Sequence, residues 1–171
     1  MLDPTLFIAL GLAILLLFAD YVYRNFIRKS KIGIEGKLIW TDHGKNTKSF
    51  FNPVFKVFGK PDLMYAVRGG VLAVEYKSRH GTIYESDIVQ AMCAALAARG
   101  DGYNVIKILL KTSTQERYVS LPKKDKDLYS EIKGFVSIAR RAKNGECLPG
   151  APEEKKCSSC AYKHDCRYTH R

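Results

Sequence analysis

Acidic residues are scarce in this sequence. It carries 17 Asp and Glu against 28 Lys and Arg, so its formal net charge is +11 at pH 7. Such an excess predicts a polyanionic partner, either nucleic acid or an acidic membrane surface. The alternative is a charge that serves solubility alone.

Several other features are absent. The sequence has no internal repeat and no low-complexity segment, and its 46% hydrophobic and 26% charged residues exclude a disordered chain. Its 171 residues suffice for one domain with a small appendage, but not for two full domains. Only Cys93 precedes the last 25 residues, which hold the other four cysteines, so a uniform secreted disulfide scaffold is excluded.

The N-terminal segment is apolar. No charged residue occurs from Thr5 to Ala19. A helix over Leu6–Tyr23 would be about 27 Å long, close to the roughly 30 Å of a bilayer's hydrocarbon core. We therefore expect a transmembrane helix there, with Asp20 near the interface. The alternatives are a buried helix and a cleaved signal peptide, for which a basic start and a small-residue cleavage site are missing.

The charges that flank this segment predict its orientation. Basic residues follow it at Arg24, Arg28, Lys29 and Lys31, and none precedes it. By the positive-inside rule we expect a single-pass membrane protein whose soluble part lies in the cytoplasm, with residues 1–31 as anchor and basic juxtamembrane segment. Because the cytoplasm is reducing, clustered cysteines there favour a metal over disulfides.

The remainder is predicted as an α/β domain, residues 32–145, followed by a cysteine-rich module, residues 146–171. Strand-forming residues predict strands at 38–40, 63–67, 71–76, 104–112 and 116–121. Residues 50–58 contain Pro53 and are predicted as an edge strand or an irregular segment. Helical spacing of apolar residues predicts helices at 83–99 and from about 128 to Asn144-Gly145.

An acidic and basic constellation lies in the predicted hairpin of strands 63–67 and 71–76. Residues two apart on a strand face the same side, so Glu75 and Lys77 project together, with Asp62 ahead of the neighbouring strand. Hard carboxylate ligands suit Mg²⁺ or Mn²⁺. The alternative is a surface Glu–Lys pair with an unrelated turn aspartate.

The segment GKPDLMYAVRGGVLAVEYKSR resembles the core of the PD-(D/E)XK nucleases. Asp62 is followed by Glu75-x-Lys77 in a hairpin that precedes a helix, and Gln90 lies on that helix where RecB-type members carry a glutamine. RecB-type members often place a tyrosine four residues further on, where this chain has Ala94. The resemblance covers roughly residues 43–166 and implies a restriction-endonuclease-like core, a central mixed sheet flanked by helices.

The resemblance also implies the roles of the site residues. Asp62 and Glu75 would bind the metal, Lys77 would be the catalytic lysine, and Gln90 would position the site or the substrate. The backbone carbonyl of Tyr76 is a further candidate ligand. His43 is a candidate upstream metal ligand, and a solvated turn histidine is the alternative.

The C-terminal cysteines predict a metal site. Cys147, Cys157, Cys160 and Cys166 offer four thiolates within twenty residues, a spacing that suits either Zn²⁺ or a [4Fe–4S] cluster. The last three are similar to the iron–sulfur closing motif of RecB-like nucleases, including the CRISPR-associated adaptation exonucleases. That resemblance implies an iron–sulfur cluster, with zinc as the alternative. Many relatives place one cluster cysteine ahead of the core, and this chain has none there.

Basic residues flank the last predicted helix. Lys123 and Lys124 precede it, and Arg140 and Arg141 lie near its end. We expect them to contact nucleic-acid phosphates. The alternative for Arg140 and Arg141 is favourable charge at a helix C-terminus.

Together these features predict a membrane-anchored, cytoplasm-facing, Mg²⁺- or Mn²⁺-dependent nuclease. We expect its substrate to be DNA, with RNA left open. The alternative is a catalytically inactive, tethered module that binds nucleic acid or senses redox state through its metal cluster.

Overall fold

The structure, a computed structural model, describes residues 4–22, 33–43 and 47–148, and residues 157, 158, 160, 161, 163, 164 and 166 of the tail. Its helices are α1 (Pro4–Val22), α2 (Glu85–Gly100) and α3 (Asp125–Lys143). Its strands are β1 (Lys37–Thr41), β2 (Phe50–Asn52), β3 (Val57–Gly59), β4 (Leu63–Val67), β5 (Gly70–Tyr76), β6 (Val105–Lys111) and β7 (Glu116–Ser120). The predicted α/β class is confirmed.

Five strands form one mixed sheet in the order β1-β4-β5-β6-β7. Only the β5–β6 pair is parallel, and the other three pairs are antiparallel. A parallel pair needs a crossover, because the chain must return to the end at which the first strand began. Helix α2 provides this crossover. Its position relative to the end of β5 is therefore set by the parallel pairing of β5 with β6.

The β4–β5 hairpin turns at Arg68-Gly69, as the sequence predicts. Val67 pairs with Gly70 at the closed end. Gly69 has φ +90°, a conformation that glycine adopts without a steric cost. A Cβ at Gly70 would lie 2.6 Å from the backbone oxygen of Asn104, so the close approach of these two segments also requires glycine.

Residues 50–58 form a separate hairpin, which corrects the expectation of an edge strand or an irregular segment. Strands β2 and β3 make a two-stranded antiparallel sheet of their own. Pro53 lies in the turn between them, where its missing N–H costs no ladder hydrogen bond. The Asn52 side-chain oxygen accepts from Val54 N at 3.1 Å and Phe55 N at 3.3 Å, which closes this turn.

Helix α2 lies between this hairpin and the large sheet, because it packs against β2 and β3 as well as β5 and β6. Small side chains permit this double packing, and the buried alanines are Ala91, Ala94, Ala95, Ala97 and Ala98. The larger apolar residues with helical spacing are only partly buried: Met92 and Leu96 are buried, whereas Ile88 and Val89 are half-buried. A helix buried on two sides shows no single apolar stripe.

The opposite face of the large sheet carries a second group of buried apolar side chains. They come from the segment before β1 and from β4, β5 and β6: Ile34, Tyr65, Leu72, Val74 and Leu109. Val74 and Tyr76 therefore face away from Glu75, as the strand alternation predicts.

Helix α1 exposes much of its apolar surface, including Leu15 and Leu17 at 68% and 70%. Of the helices within the described residues, none is both long and apolar enough to cross a membrane. The transmembrane helix predicted at Leu6–Tyr23 is therefore not found.

The chain separates into two compact units, Met1–Ile132 and Lys133–Arg171. The first contains both sheets and α2. The second contains the last turns of α3 and the cysteine-rich tail. The boundaries predicted after residues 31 and 145 stay predictions.

Candidate active site

The β4–β5 hairpin places Asp62 beside the end of β5. Asp62 directly precedes β4, and its N–H donates to the backbone oxygen of Val74 at 3.1 Å. Its carboxylate accepts from the N–H of Tyr76 at 2.6 Å. The strand pairing thus brings the Asp62 carboxylate to the position in β5 that lies between Glu75 and Lys77.

Lys77 forms hydrogen bonds to two of the predicted site residues, Glu75 and Gln90. Its ammonium donates to Glu75 Oε1 at 2.8 Å and to Gln90 Oε1 at 2.9 Å. The Lys77 side chain is 17% exposed and that of Glu75 is 6% exposed. The crossover helix therefore completes the cluster, because only α2 carries Gln90 to the end of β5.

The Glu75 carboxyl group lies in a strongly perturbing environment. Burial raises the pKa of Glu75 above its usual range, and the nearby Asp62 and Asp87 carboxylates raise it further. The hydrogen bond from Lys77 acts in the opposite direction, but it does not outweigh the burial. Negative charge at this position is costly until a cation approaches it.

Asp87, an acidic residue in the first turn of α2, belongs to this environment, although it was not among the predicted site residues. It is 6% exposed and accepts from the N–H of Tyr84 at 2.8 Å and from the Arg79 guanidinium. Asp87 precedes Gln90 by three residues, which is nearly one helical turn. That spacing is the sequence signal that points to its place in the site.

Arg79 holds the loop that follows Lys77. Its guanidinium lies 4.8 Å from the centre of the Tyr84 ring as well as against Asp87. Its backbone oxygen accepts from Ser113 N at 3.3 Å, and from the Ser113 hydroxyl at 3.1 Å. The loop is thereby tied both to the start of α2 and to the β6–β7 turn.

The donor set fits a divalent cation that keeps most of its water. Among the residues that the structure describes, no three His, Cys, Asp or Glu side chains converge to hold a metal. Mg²⁺ is commonly bound by one or two carboxylates together with waters and substrate phosphates. Asp62 and Glu75 supply two such carboxylates, and their mutual repulsion is relieved by a cation.

Two further candidate ligands are less well placed. His43 is exposed, and the structure does not group it with Asp62 and Glu75. The neighbouring residue Asp42 contacts the site residue Asp62 through the backbone, because Asp42 N donates to the backbone oxygen of Asp62 at 2.9 Å. For Tyr76 the structure gives a role to the N–H, which binds Asp62, while a role for its carbonyl stays a prediction.

The predicted nucleic-acid-binding residues are all exposed but differ in their surroundings. Lys123 and Lys124 lie just before α3, whose last turns carry Arg140 and Arg141. The guanidinium of Arg141 donates to Glu146 Oε2 at 2.7 Å and also contacts the second carboxylate oxygen. Arg141 is therefore already paired with a carboxylate.

The structure does not assemble the cysteines into a metal site. Cys147 is exposed, Cys157, Cys160 and Cys166 are half-buried, and no disulfide joins any of them. Within the described part of the tail, no metal-binding group of three ligands is formed. The predicted iron–sulfur cluster is thus not supported, although a hydrogen bond from Cys160 N to the Cys157 oxygen at 3.3 Å forms a turn between these two.

Ala94 occupies the position at which RecB-type members often carry tyrosine. It is 3% exposed, and a Cβ built on Gly59 of β3 would lie 3.0 Å from its Cα. The β2–β3 hairpin therefore fills the space in which a larger side chain would lie.

A cavity of about 930 Å³ lies away from this cluster. Its lining includes Tyr21, Arg68, Lys107 and Tyr118, but none of the predicted catalytic residues. The chemistry of the cluster, rather than the size of the cavity, identifies the candidate active site.

These features define a class of protein: an α/β fold in which a hairpin presents an aspartate and a Glu-x-Lys pair beside a crossover helix. The family model described as the PD-(D/E)XK nuclease superfamily matches residues 17–167. The chain belongs to the PD-(D/E)XK nuclease superfamily. Membership indicates a nuclease, a class that uses divalent metal ions and has nucleic acid as its substrate.

A solved structure, titled "Crystal structure of SSO0001", is similar to this chain. The TM-score is 0.39 at 13% sequence identity, over 95% of this chain and 71% of the other. No curated protein matches the chain significantly.

Proposed function

We propose that this chain is a Mg²⁺- or Mn²⁺-dependent deoxyribonuclease of the PD-(D/E)XK type. The observation that carries the proposal is the contact of Lys77 with both Glu75 and Gln90 beside the Asp62 carboxylate. Four side chains from three parts of the chain meet there, and a surface Glu–Lys pair would not require the other two.

The residues divide the chemistry between them. Asp62 and Glu75 would hold the cation, which when bound supplies charge neutralisation and acidifies water. Lys77 carries a positive charge on the same face, where it stabilises negative charge that develops on the phosphate or orients the attacking water. Gln90 fixes the Lys77 ammonium, and thereby its direction.

Substitution of the acidic residues and the lysine tests the proposal. The chain is purified whole and assayed on single- and double-stranded DNA with Mg²⁺ or Mn²⁺. Asp62→Ala and Glu75→Ala should abolish cutting and weaken metal binding. Lys77→Ala should lower the rate about 100-fold or more while metal binding persists.

The β6–β7 pair offers a matched control. Lys111 and Glu116 form an ion pair on the same sheet, outside the cluster. Lys111→Ala and Glu116→Ala should cut at the parent rate. If Lys77→Ala also cuts at the parent rate, this site is not the active site. A parent that binds DNA but cuts no substrate would favour the inactive binding module.

We also propose that α1 attaches the chain to a membrane, with the remainder in the cytoplasm. The exposed leucines of α1 support this, because leaving them in water forgoes the free energy gained by burying apolar surface. Carbonate extraction of membranes from cells expressing the chain tests it. Retention in the pellet is expected, and release of intact protein would remove the proposal.

For the tail we propose metal binding by Cys147, Cys157, Cys160 and Cys166, with an iron–sulfur cluster preferred to zinc. The spacing and the turn at Cys157–Cys160 support it. Protein purified without oxygen should be brown and contain several irons per chain. One tightly held zinc would reverse the preference, and a metal-free tail would refute both.

A further inference from the structure

The β2–β3 hairpin carries an exposed pair of aromatic rings. Phe51 and Phe58 lie directly opposite each other in the antiparallel ladder, so their side chains project from the same face. Their exposures are 45% and 65%. Their strand neighbours Phe50, Asn52 and Val57 are all buried, so the rings project away from the packed face of the hairpin.

The hairpin that carries them is held firmly. Asn52 is 2% exposed and its side-chain nitrogen donates to the backbone oxygen of Leu96 on α2 at 3.0 Å. Phe55, at the turn, stacks on Tyr129 with ring centres 4.6 Å apart. The exposed rings are therefore displayed on a fixed support, and little conformational entropy would be lost when a flat ligand binds them.

The chain itself places the rings near the candidate active site. Phe58 precedes Asp62 by four residues, so the two Cα atoms are at most about 14 Å apart. The hairpin also joins the large sheet at the end where Asp62, Glu75 and Lys77 meet. A strand of nucleic acid in the site would reach the rings within a few nucleotides.

We propose that Phe51 and Phe58 form a platform on which unpaired bases stack, so that the substrate is DNA with a single-stranded segment. This rests on the proposed nuclease function. Only an unpaired base exposes its flat face, whereas a base inside a duplex presents its edges. The formal net charge of +11 complements the phosphates of such a strand.

Binding to normal and abasic oligonucleotides tests the proposal. Each variant is made in the Lys77→Ala background, so that the strand is bound without being cut. Phe51→Ala and Phe58→Ala should each weaken binding of single-stranded DNA about 5- to 100-fold. The loss should disappear with an oligonucleotide whose bases are removed, because its phosphates remain but nothing can stack. Phe51→Trp should bind as tightly as the Lys77→Ala chain.

Tyr118→Ala is the matched control, since Tyr118 is 55% exposed but lies on β7. It should leave affinity unchanged. Equal losses on normal and abasic strands, or unchanged affinity in both phenylalanine variants, would overturn the platform. So would dissociation of a dimer by Phe58→Ala, because the rings would then serve a second copy of the chain.

Failure of the platform and failure of the nuclease function are distinguishable. If the chain with Lys77 intact cuts DNA while the phenylalanine variants bind normally, only the platform is wrong. If it cuts nothing while the variants lose base-dependent binding, only the nuclease function is wrong.

Discussion

At the scale of single residues, the site depends on the Glu75 carboxylate, whose negative charge is disfavoured by burial. Glu75 is 5% exposed and lies near two other acidic residues, and its carboxylate accepts a hydrogen bond from Lys77. Such an arrangement stores unfavourable electrostatic energy that a cation releases. Activity and stability are therefore expected to oppose each other at this residue.

Glu75→Gln tests this opposition through its dependence on pH. Because the pKa of Glu75 is raised by folding, its contribution to stability is complete below the usual glutamate range and is lost as pH rises through the raised pKa. At neutral pH, with a chelator present to remove divalent metal ions, Glu75→Gln should therefore unfold at a higher temperature than the parent. The difference should vanish at acid pH, where the parent's Glu75 is protonated.

Adding metal should reverse the order of the unfolding temperatures of the parent and Glu75→Gln. Mg²⁺ should raise the unfolding temperature of the parent, because it binds the folded chain, and should leave Glu75→Gln nearly unchanged. Glu116→Gln, on an exposed strand position, is the control. If Glu75→Gln is the less stable chain in chelator at neutral pH, the electrostatic account is incorrect.

Gln90 is expected to act by orienting Lys77. Gln90→Ala removes one acceptor of the Lys77 ammonium while Glu75 remains. We expect about a tenfold or greater loss of kcat with unchanged metal affinity, since a hydrogen bond that involves a charged group contributes about 1.5–3 kcal/mol. Steady-state kinetics and metal titration check it, with Gln115→Ala as control. A Gln90→Ala chain that loses metal binding instead would assign Gln90 to the metal site.

At the scale of elements, α2 packs against both sheets because its buried side chains are small. Its alanines let the sheet approach on one side and the β2–β3 hairpin on the other. The close approach extends to its last residue, where a Cβ on Gly100 would lie 2.5 Å from Asn52 Cα and 2.6 Å from the Phe51 oxygen. The β2–β3 hairpin thus packs against glycine and alanine residues of α2.

The same substitution should have opposite effects at two helical glycines. Gly100→Ala should destabilise the chain by about 1–3 kcal/mol, because the backbone of the hairpin must move to admit the methyl group. Gly134→Ala, in α3 with nothing within 4 Å of the added atom, should stabilise it by about 0.5–1 kcal/mol. Denaturant unfolding measures both. A neutral Gly100→Ala would show that the hairpin is loosely seated.

At the scale of the whole molecule, the excess of basic residues predicts binding of nucleic acid that weakens with salt. The cations differ in availability, however. Lys123 and Lys124 are exposed, whereas Arg141 is engaged by Glu146. A carboxylate partner must be displaced before Arg141 can bind a phosphate.

The salt dependence of DNA binding should resolve this difference. Lys123→Ala and Lys124→Ala should each reduce the slope of log affinity against log salt by about 0.7–0.9, the value for one lost phosphate contact. Arg141→Ala should change it little. Titrations of the Lys77→Ala chain from low to moderate salt measure the slopes. A large change for Arg141→Ala alone would place the phosphate path along the end of α3.

The sequence by itself predicted the elements and the chemical types in the site. Strand-forming runs bounded by glycine and proline predicted the β4–β5 hairpin, and alternation along β5 placed Glu75 and Lys77 on one face. These are local properties, because turn chemistry and the two-residue period of a strand act over neighbouring residues. The motif of Asp62, Glu75 and Lys77 indicated the family that the match over residues 17–167 shows.

Only the tertiary structure decided what lies around these residues. The spacing from Gln90 points to Asp87, but the contribution of Asp87 to the raised pKa of Glu75 depends on how α2 crosses the sheet. The division of residues 50–58 into a hairpin seated on α2, and the exposure of Phe51 and Phe58 but not Phe50, depend on packing between distant segments. Long-range contacts fix these features, and a single sequence records them only weakly.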